Sequence, residues 1–115
     1  MDPREVSKLL ADEYSVKILT ATFRNPRSAG YLSSEFDIPI AACYRRIRAL
    51  ERAELLKPVD REFTKFGKWV SVYRSNLRYV NIVLENGQMR MYMQLSDPER
   101  PEHQGTWEIL EESEE

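Results

Sequence analysis

The feature that most constrains this chain is the turn Asp37-Ile38-Pro39 and the segment IAACYRRIRALERAELL after it. A residue before proline is pushed out of the helical region, while proline itself suits the first turn of a helix. The turn therefore ends one helix and starts another over about residues 39–53. Residues three and four apart share a helix face, which puts Cys43, Ile47 and Leu50 on one inward stripe. At about 100° per residue, Ala41, Arg45, Arg48 and Arg52 fall opposite, with Tyr44 on one flank and Arg46 on the shoulder of the buried stripe. Such a helix must lie at the outside of a helical layer, with its cationic side uncovered.

The preceding residues read as helices with identifiable starts. Asp2-Pro3 places a capping carboxylate before a proline at the first helical position, and Val6, Leu9 and Leu10 give that helix an apolar side. Asp12 starts a second helix, in which Tyr14, Ile18, Leu19, Thr22 and Phe23 lie on neighbouring faces, and Asn25-Pro26 ends it. Ser28 caps a third, with Tyr31, Leu32 and Phe36 expected to point inward. Asp37 adds a negative charge near the start of the arginine helix, which has no Ser/Thr cap of its own.

The period then changes. Residues 57–63 and 69–74 are rich in aromatic and β-branched side chains and read as strands, joined by Thr64-Lys65-Phe66-Gly67-Lys68. A second hairpin follows: RYVNIVLE and QMRMYMQL flank Asn86-Gly87, a pair suited to the positive φ angles of a type I′ turn. A two-residue loop pairs Glu85 with Gln88. It sets Leu84, Ile82 and Val80 against Met89, Met91 and Met93 on one face, a face that needs cover from the helices or a second subunit. Residues 96–115 hold Pro98, Pro101 and Gly105 and are strongly acidic, predicting a largely irregular tail that Trp107, Ile109 and Leu110 could tack onto the body. The expected organisation is α+β: three to four helices and a β-wing over 1–76, a β-hairpin over 77–95, and the tail.

Charge is segregated along the chain. The formal net charge is −2, but residues 41–74 carry nine Lys/Arg against four Asp/Glu, and residues 85–115 carry nine acidic residues against two arginines. Attraction to phosphate depends on the local patch, so the overall sign does not exclude a polyanionic partner. A helix held on one side and cationic on the other suits a DNA major groove. A basic hairpin beside it suits phosphates or the minor groove.

PIAACYRRIRALERAELL followed by GKWVSVYRSN resembles the winged helix-turn-helix regulators of the ArsR-like class, notably a small archaeal-type branch, over residues 5–76. The resemblance implies a homodimeric, sequence-specific transcription regulator that reads a pseudo-palindromic operator in double-stranded DNA. The helix around 39–53 would lie in the major groove and the wing around 61–72 on the backbone or minor groove. The candidate DNA-contacting residues are Ser28, Ser33, Ala41, Ala42, Tyr44, Arg45, Arg46, Arg48, Arg52, Lys65 and Lys68. Two departures stand out. Metal-sensing members use clustered cysteines, whereas Cys43 is the one cysteine here, so no metal or other cofactor is expected. The glycine usual before the Leu-Leu step is replaced by Glu54.

Each feature has a plainer reading. The arginines and wing lysines could be a solvated surface, and Arg46 could meet a neighbouring carboxylate. Cys43 on the inward stripe reads as a small core hydrophobe rather than a redox switch. The three methionines read as strand-face packing rather than soft-metal ligands, and His103 as inert. No nucleophile–base pair or glycine-rich phosphate loop is present, so no enzyme is expected. No apolar run reaches the roughly 20 residues that span a bilayer, and no leader pattern stands at the N-terminus, predicting a cytoplasmic location. Two alternatives stay open: a winged-helix module that binds an acidic protein, and a non-specific, chromatin-like DNA coater.

Overall fold

A computed structural model describes residues 2–96 and the backbone of residues 104–110. His103 and much of the acidic tail lie outside the described residues. The chain is α+β, a winged helix-turn-helix followed by a C-terminal β-hairpin: four helices, with a short strand before the third, then antiparallel strands.

Helix α1 (Pro3–Leu10) begins as expected, with an Asp2 carboxylate oxygen accepting from the Arg4 N–H at 3.0 Å. Helix α2 (Glu13–Thr22) is capped by Asp12, which accepts the Ser15 N–H at 2.9 Å. Its C-terminus is held from a distance, because the Arg74 guanidinium donates to the Phe23 and Arg24 carbonyls at 3.4 and 2.9 Å. A cation at orphaned terminal carbonyls satisfies both their hydrogen bonding and the helix dipole. Strand β1 (Arg27–Ser28) leads into helix α3 (Ala29–Phe36), where the Ser28 hydroxyl caps the Tyr31 N–H.

The turn before helix α4 (Ile40–Arg52) is closed by backbone and side chain together. Asp37 takes a left-handed conformation (φ 53°), and the Ile38 N–H reaches back to the Ser33 carbonyl at 3.0 Å. Ile38 is buried and plugs the angle between α3 and α4. At the far end of α4, Glu54 is also left-handed (φ 64°), a conformation that glycine adopts with the least strain, and the Leu55 N–H returns to the Leu50 carbonyl.

Strands β2 (Leu56–Phe63) and β3 (Trp69–Ser75) form the wing, with β1 on the other side of β3. Pro58 sits beside a bulge before Asp60, one of the few strand positions that tolerate proline. Strands β4 (Leu77–Glu85) and β5 (Gln88–Leu95) have the anticipated register, from Glu85↔Gln88 through Leu84↔Met89, Ile82↔Met91 and Val80↔Met93 to Tyr79↔Gln94. Asn86 and Gly87 both have positive φ, as a type I′ turn requires.

Three expectations need correction. The segment after Ser96 is not irregular throughout, because strand β6 (Gln104–Leu110) pairs antiparallel with β5 and makes the second sheet three-stranded, in the order β4-β5-β6. Tyr31 does not point inward; it lies on the surface with the Arg27 guanidinium 4.4 Å over its ring. The second helix, expected to include Phe23, ends at Thr22, with Phe23 exposed as its C-cap residue.

One core joins both sheets to the helices. Val6, Ile18, Leu32, Ile47, Leu50 and Leu55 are fully buried, and Met91, Met93 and Leu95 of β5 close the cluster. The methionines are core packing. On the neighbouring edge strand the same apolar face is open, with Ile82 exposed and Leu84 71% exposed.

Candidate nucleic-acid interface

The arginine helix divides as its periodicity requires. Cys43, Ile47 and Leu50 face the core, and Ile40, Ala41, Tyr44, Arg45, Arg48 and Arg52 are exposed. Among the described residues, Arg45, Arg48 and Arg52 have no carboxylate partner; Arg48 lies 5.9 Å over the Tyr44 ring. Three guanidinium groups on successive turns of one helix, without a carboxylate partner among the described residues, make a line of positive charge. Lysines and arginines bind phosphate through the same charge, but only arginine adds a planar, two-toothed donor set that matches a guanine edge.

Arg46 is spent differently. Its Nε and Nη2 donate to the two carboxylate oxygens of Asp12 at 3.1 and 3.2 Å, and its guanidinium lies 5.5 Å from the Tyr14 ring centroid. This pair ties the start of α2 to the middle of α4 and commits two of the three guanidinium nitrogens within the fold. The Arg46 hydrogen bonds, assisted by those from Ser15, hold the Asp12 carboxyl at about 2 against an ordinary 3.8, overcoming the opposing effect of burial. Asp12 is thus depressed in the folded state. Its stabilisation is complete above about pH 4 and is lost as pH falls through the folded value near 2. After allowance for solvent screening of a partly exposed pair, the loss should be about 1–2 kcal/mol. Urea midpoints at pH 5 and pH 2.5 check it: Asp12→Asn, which can still cap α2, should flatten this part of the pH dependence.

The remaining candidates separate in the same way. Ala42 is buried on the inner side of α4, so its methyl group packs against the core and cannot reach a groove. The Ser33 hydroxyl donates to the Ile38 carbonyl and locks the α3–α4 turn, which leaves it a structural group. Ser28 is half-buried, and its oxygen already accepts from Tyr31. Cys43 is fully buried, with its Sγ–H directed to the Ala29 carbonyl at 3.6 Å, and burial pushes its thiol pKa up. Those conditions oppose thiolate chemistry. Lys65 and Lys68 are exposed at the wing tip.

The sequence reading missed the aromatic character of this side of the molecule. Tyr31 and Tyr44 from the helices and Phe63, Phe66, Trp69 and Tyr73 from the wing line one open cleft of about 850 Å³. The signal was present as the wing pattern F-T-K-F-G-K-W, where aromatics alternate with lysines, but Phe63 and Trp69 were read for strand propensity and the connection for its lysines alone. Among the described residues, no cluster of three or more His, Cys, Asp or Glu side chains could hold a metal ion. No helix among them is long and apolar enough to cross a membrane.

Comparison with curated proteins gives no match. A family model described as a helix-turn-helix domain matches residues 10–59, which run from the end of α1 through α2, α3 and α4 into the first wing strand. Over these residues the chain is similar to a helix-turn-helix domain; the two helices joined at Asp37-Ile38-Pro39 lie within the matched stretch, and the strands that follow form a wing beside them.

Proposed function

We propose that the protein is a dimeric, sequence-specific DNA-binding transcription regulator of the ArsR-like winged-helix type, acting by binding rather than by catalysis. The observation that carries this reading is the outward line of Arg45, Arg48 and Arg52 on the second helix of a helix-turn-helix, with no carboxylate partner among the described residues. In this reading α4 enters the major groove. Arg45 and Arg48 contact guanine edges or adjacent phosphates, Tyr44 and Ala41 lie against the bases or backbone, and Lys65 and Lys68 bind phosphate from the wing. Arg52, one turn further on, contacts the backbone. Its compartment is the one that holds the DNA, the cytoplasm.

Dimerisation is supported by the open apolar side of the second sheet. Ile82 and Leu84 are exposed on one face of β4, an edge strand, a combination that a soluble monomer normally blunts. A pair of subunits would present two arginine helices to two half-sites, which is how the symmetry of such proteins maps onto a pseudo-palindromic site.

One experiment addresses both parts. Duplexes selected by the protein from a random pool are titrated against it at several salt concentrations, with sedimentation reporting the stoichiometry. If each subunit neutralises three or four phosphates, a dimer contacts about seven, and log affinity should fall against log salt with a slope of about −6. Two chains per recovered site are expected. Equal affinity for unrelated duplexes would point to a non-specific coater, and no competition by duplex DNA for an acidic protein partner would favour the interaction module.

A further inference from the structure

The wing carries an apolar point as well as charge. At its tip, the Thr64 N–H donates to the Lys68 carbonyl at 2.7 Å and the Gly67 N–H to the Thr64 carbonyl at 3.0 Å. The Thr64 hydroxyl accepts from both the Phe66 and Lys68 N–H groups at 3.3 Å. Gly67 has φ 78°, a conformation that strains any other residue, so the turn is built for a tight reversal. Phe66 stands at the apex of this closed turn, 78% exposed, with Lys65 and Lys68 on either side. Directly behind it, Phe63 and Trp69 are register partners, 57% and 59% exposed, with ring centroids 5.2 Å apart.

A wing that only had to reach phosphates would need the lysines alone. Three large exposed aromatics at one tip are unfavourable in water, and a turn closed by four hydrogen bonds has already lost the freedom that insertion would otherwise cost. Apolar side chains flanked by cations are the means by which proteins unstack a base step from the minor groove and bend the duplex. We propose that the wing tip is such a wedge: Phe66 enters a base step from the minor groove, Lys65 and Lys68 engage the phosphates beside it, and the Phe63–Trp69 pair backs it against the sugars. Charge complementarity and continuity with the arginine helix both favour duplex DNA as the occupant. The aromatic wing and Tyr44 of α4 line the same cleft, so one bound duplex meets both. The inference rests on the DNA-binding reading above and adds a deformation to it.

The test uses the full chain and a selected duplex of about 30 base pairs with fluorophores at its ends, which reports bending as a gain in energy transfer. A second duplex carries 2-aminopurine near the wing position, where unstacking brightens its emission. The wild-type protein should bend the duplex by roughly 20–90° and brighten the probe. Phe66→Ala should bind with an unchanged salt slope yet lose both signals, and Phe66→Leu, still apolar, should recover most of the bend. Circular dichroism of each variant verifies the fold. Binding by the wild type without a bend, or an equal bend by Phe66→Ala, overturns the wedge while leaving the DNA-binding reading intact. Absence of duplex binding by the wild type overturns both. Preference for single-stranded over duplex DNA also overturns it, since the aromatics would then act as a stacking platform.

Discussion

Replacing Arg45 and Arg48 together with alanine should weaken binding to a selected duplex by roughly 100- to 1,000-fold, with the melting temperature of the free protein little changed. Each arginine, if it forms a two-toothed base contact, is worth roughly 1–3 kcal/mol, and the two are close enough on α4 for their effects to couple rather than add. Stability should hold because both side chains are exposed and neither has a carboxylate partner among the described residues. Arg46→Ala gives the contrast. It removes the clasp on Asp12, so its main effect should be on unfolding and only secondarily on DNA. A binding titration beside a thermal melt separates the two outcomes. Equal losses of affinity in both proteins would show that the outward and inward arginines do not differ in role.

Leu50→Ala should cost about 3 kcal/mol of folding stability, read as a lower urea midpoint. Leu50 is fully buried in the cluster that joins the helices to the sheets, so truncation removes packed apolar contacts and leaves a cavity. For a domain whose total stability is about 5–15 kcal/mol, that is a large share. The same position also serves the backbone, since its carbonyl accepts the Leu55 N–H that closes the end of α4. The side chain and the turn therefore anchor one helix at one point. Where the variant remains folded, its affinity for DNA should follow the folded fraction, because the substitution leaves the outward arginines in place.

Most of the scaffold was legible because local chemistry and tertiary packing agree. The carboxylate and hydroxyl caps at Asp2, Asp12 and Ser28, the Pro39 turn and the Asn86-Gly87 hairpin each act within a few residues. Glu54 shows the limit of such agreement. Its positive φ is not legible from its own residue type, because tertiary bonds around Leu50 and Asn76 impose a conformation its side chain disfavours. Strand β6 was hidden by its surroundings: prolines and acidic residues dominate the segment, while Thr106-Trp107-Glu108-Ile109 carries the strand propensity. The outward arginines were found from angle alone. Ala42 and Arg46 were not resolved that way, since a shoulder position goes inward or outward according to what lies opposite, here the core and Asp12.

Asn76 is a small residue with a mechanical consequence. Its N–H donates to the Leu55 carbonyl, its side-chain amide to the Glu54 carbonyl, and its own carbonyl accepts from Ser96 at the end of β5. The two sheets thus meet at a buried pin fastened to the turn that follows α4, and swivelling either sheet would strain that turn. Were two subunits joined along β4, the gap between their arginine helices would be set by this stiff joint rather than by slack in a linker.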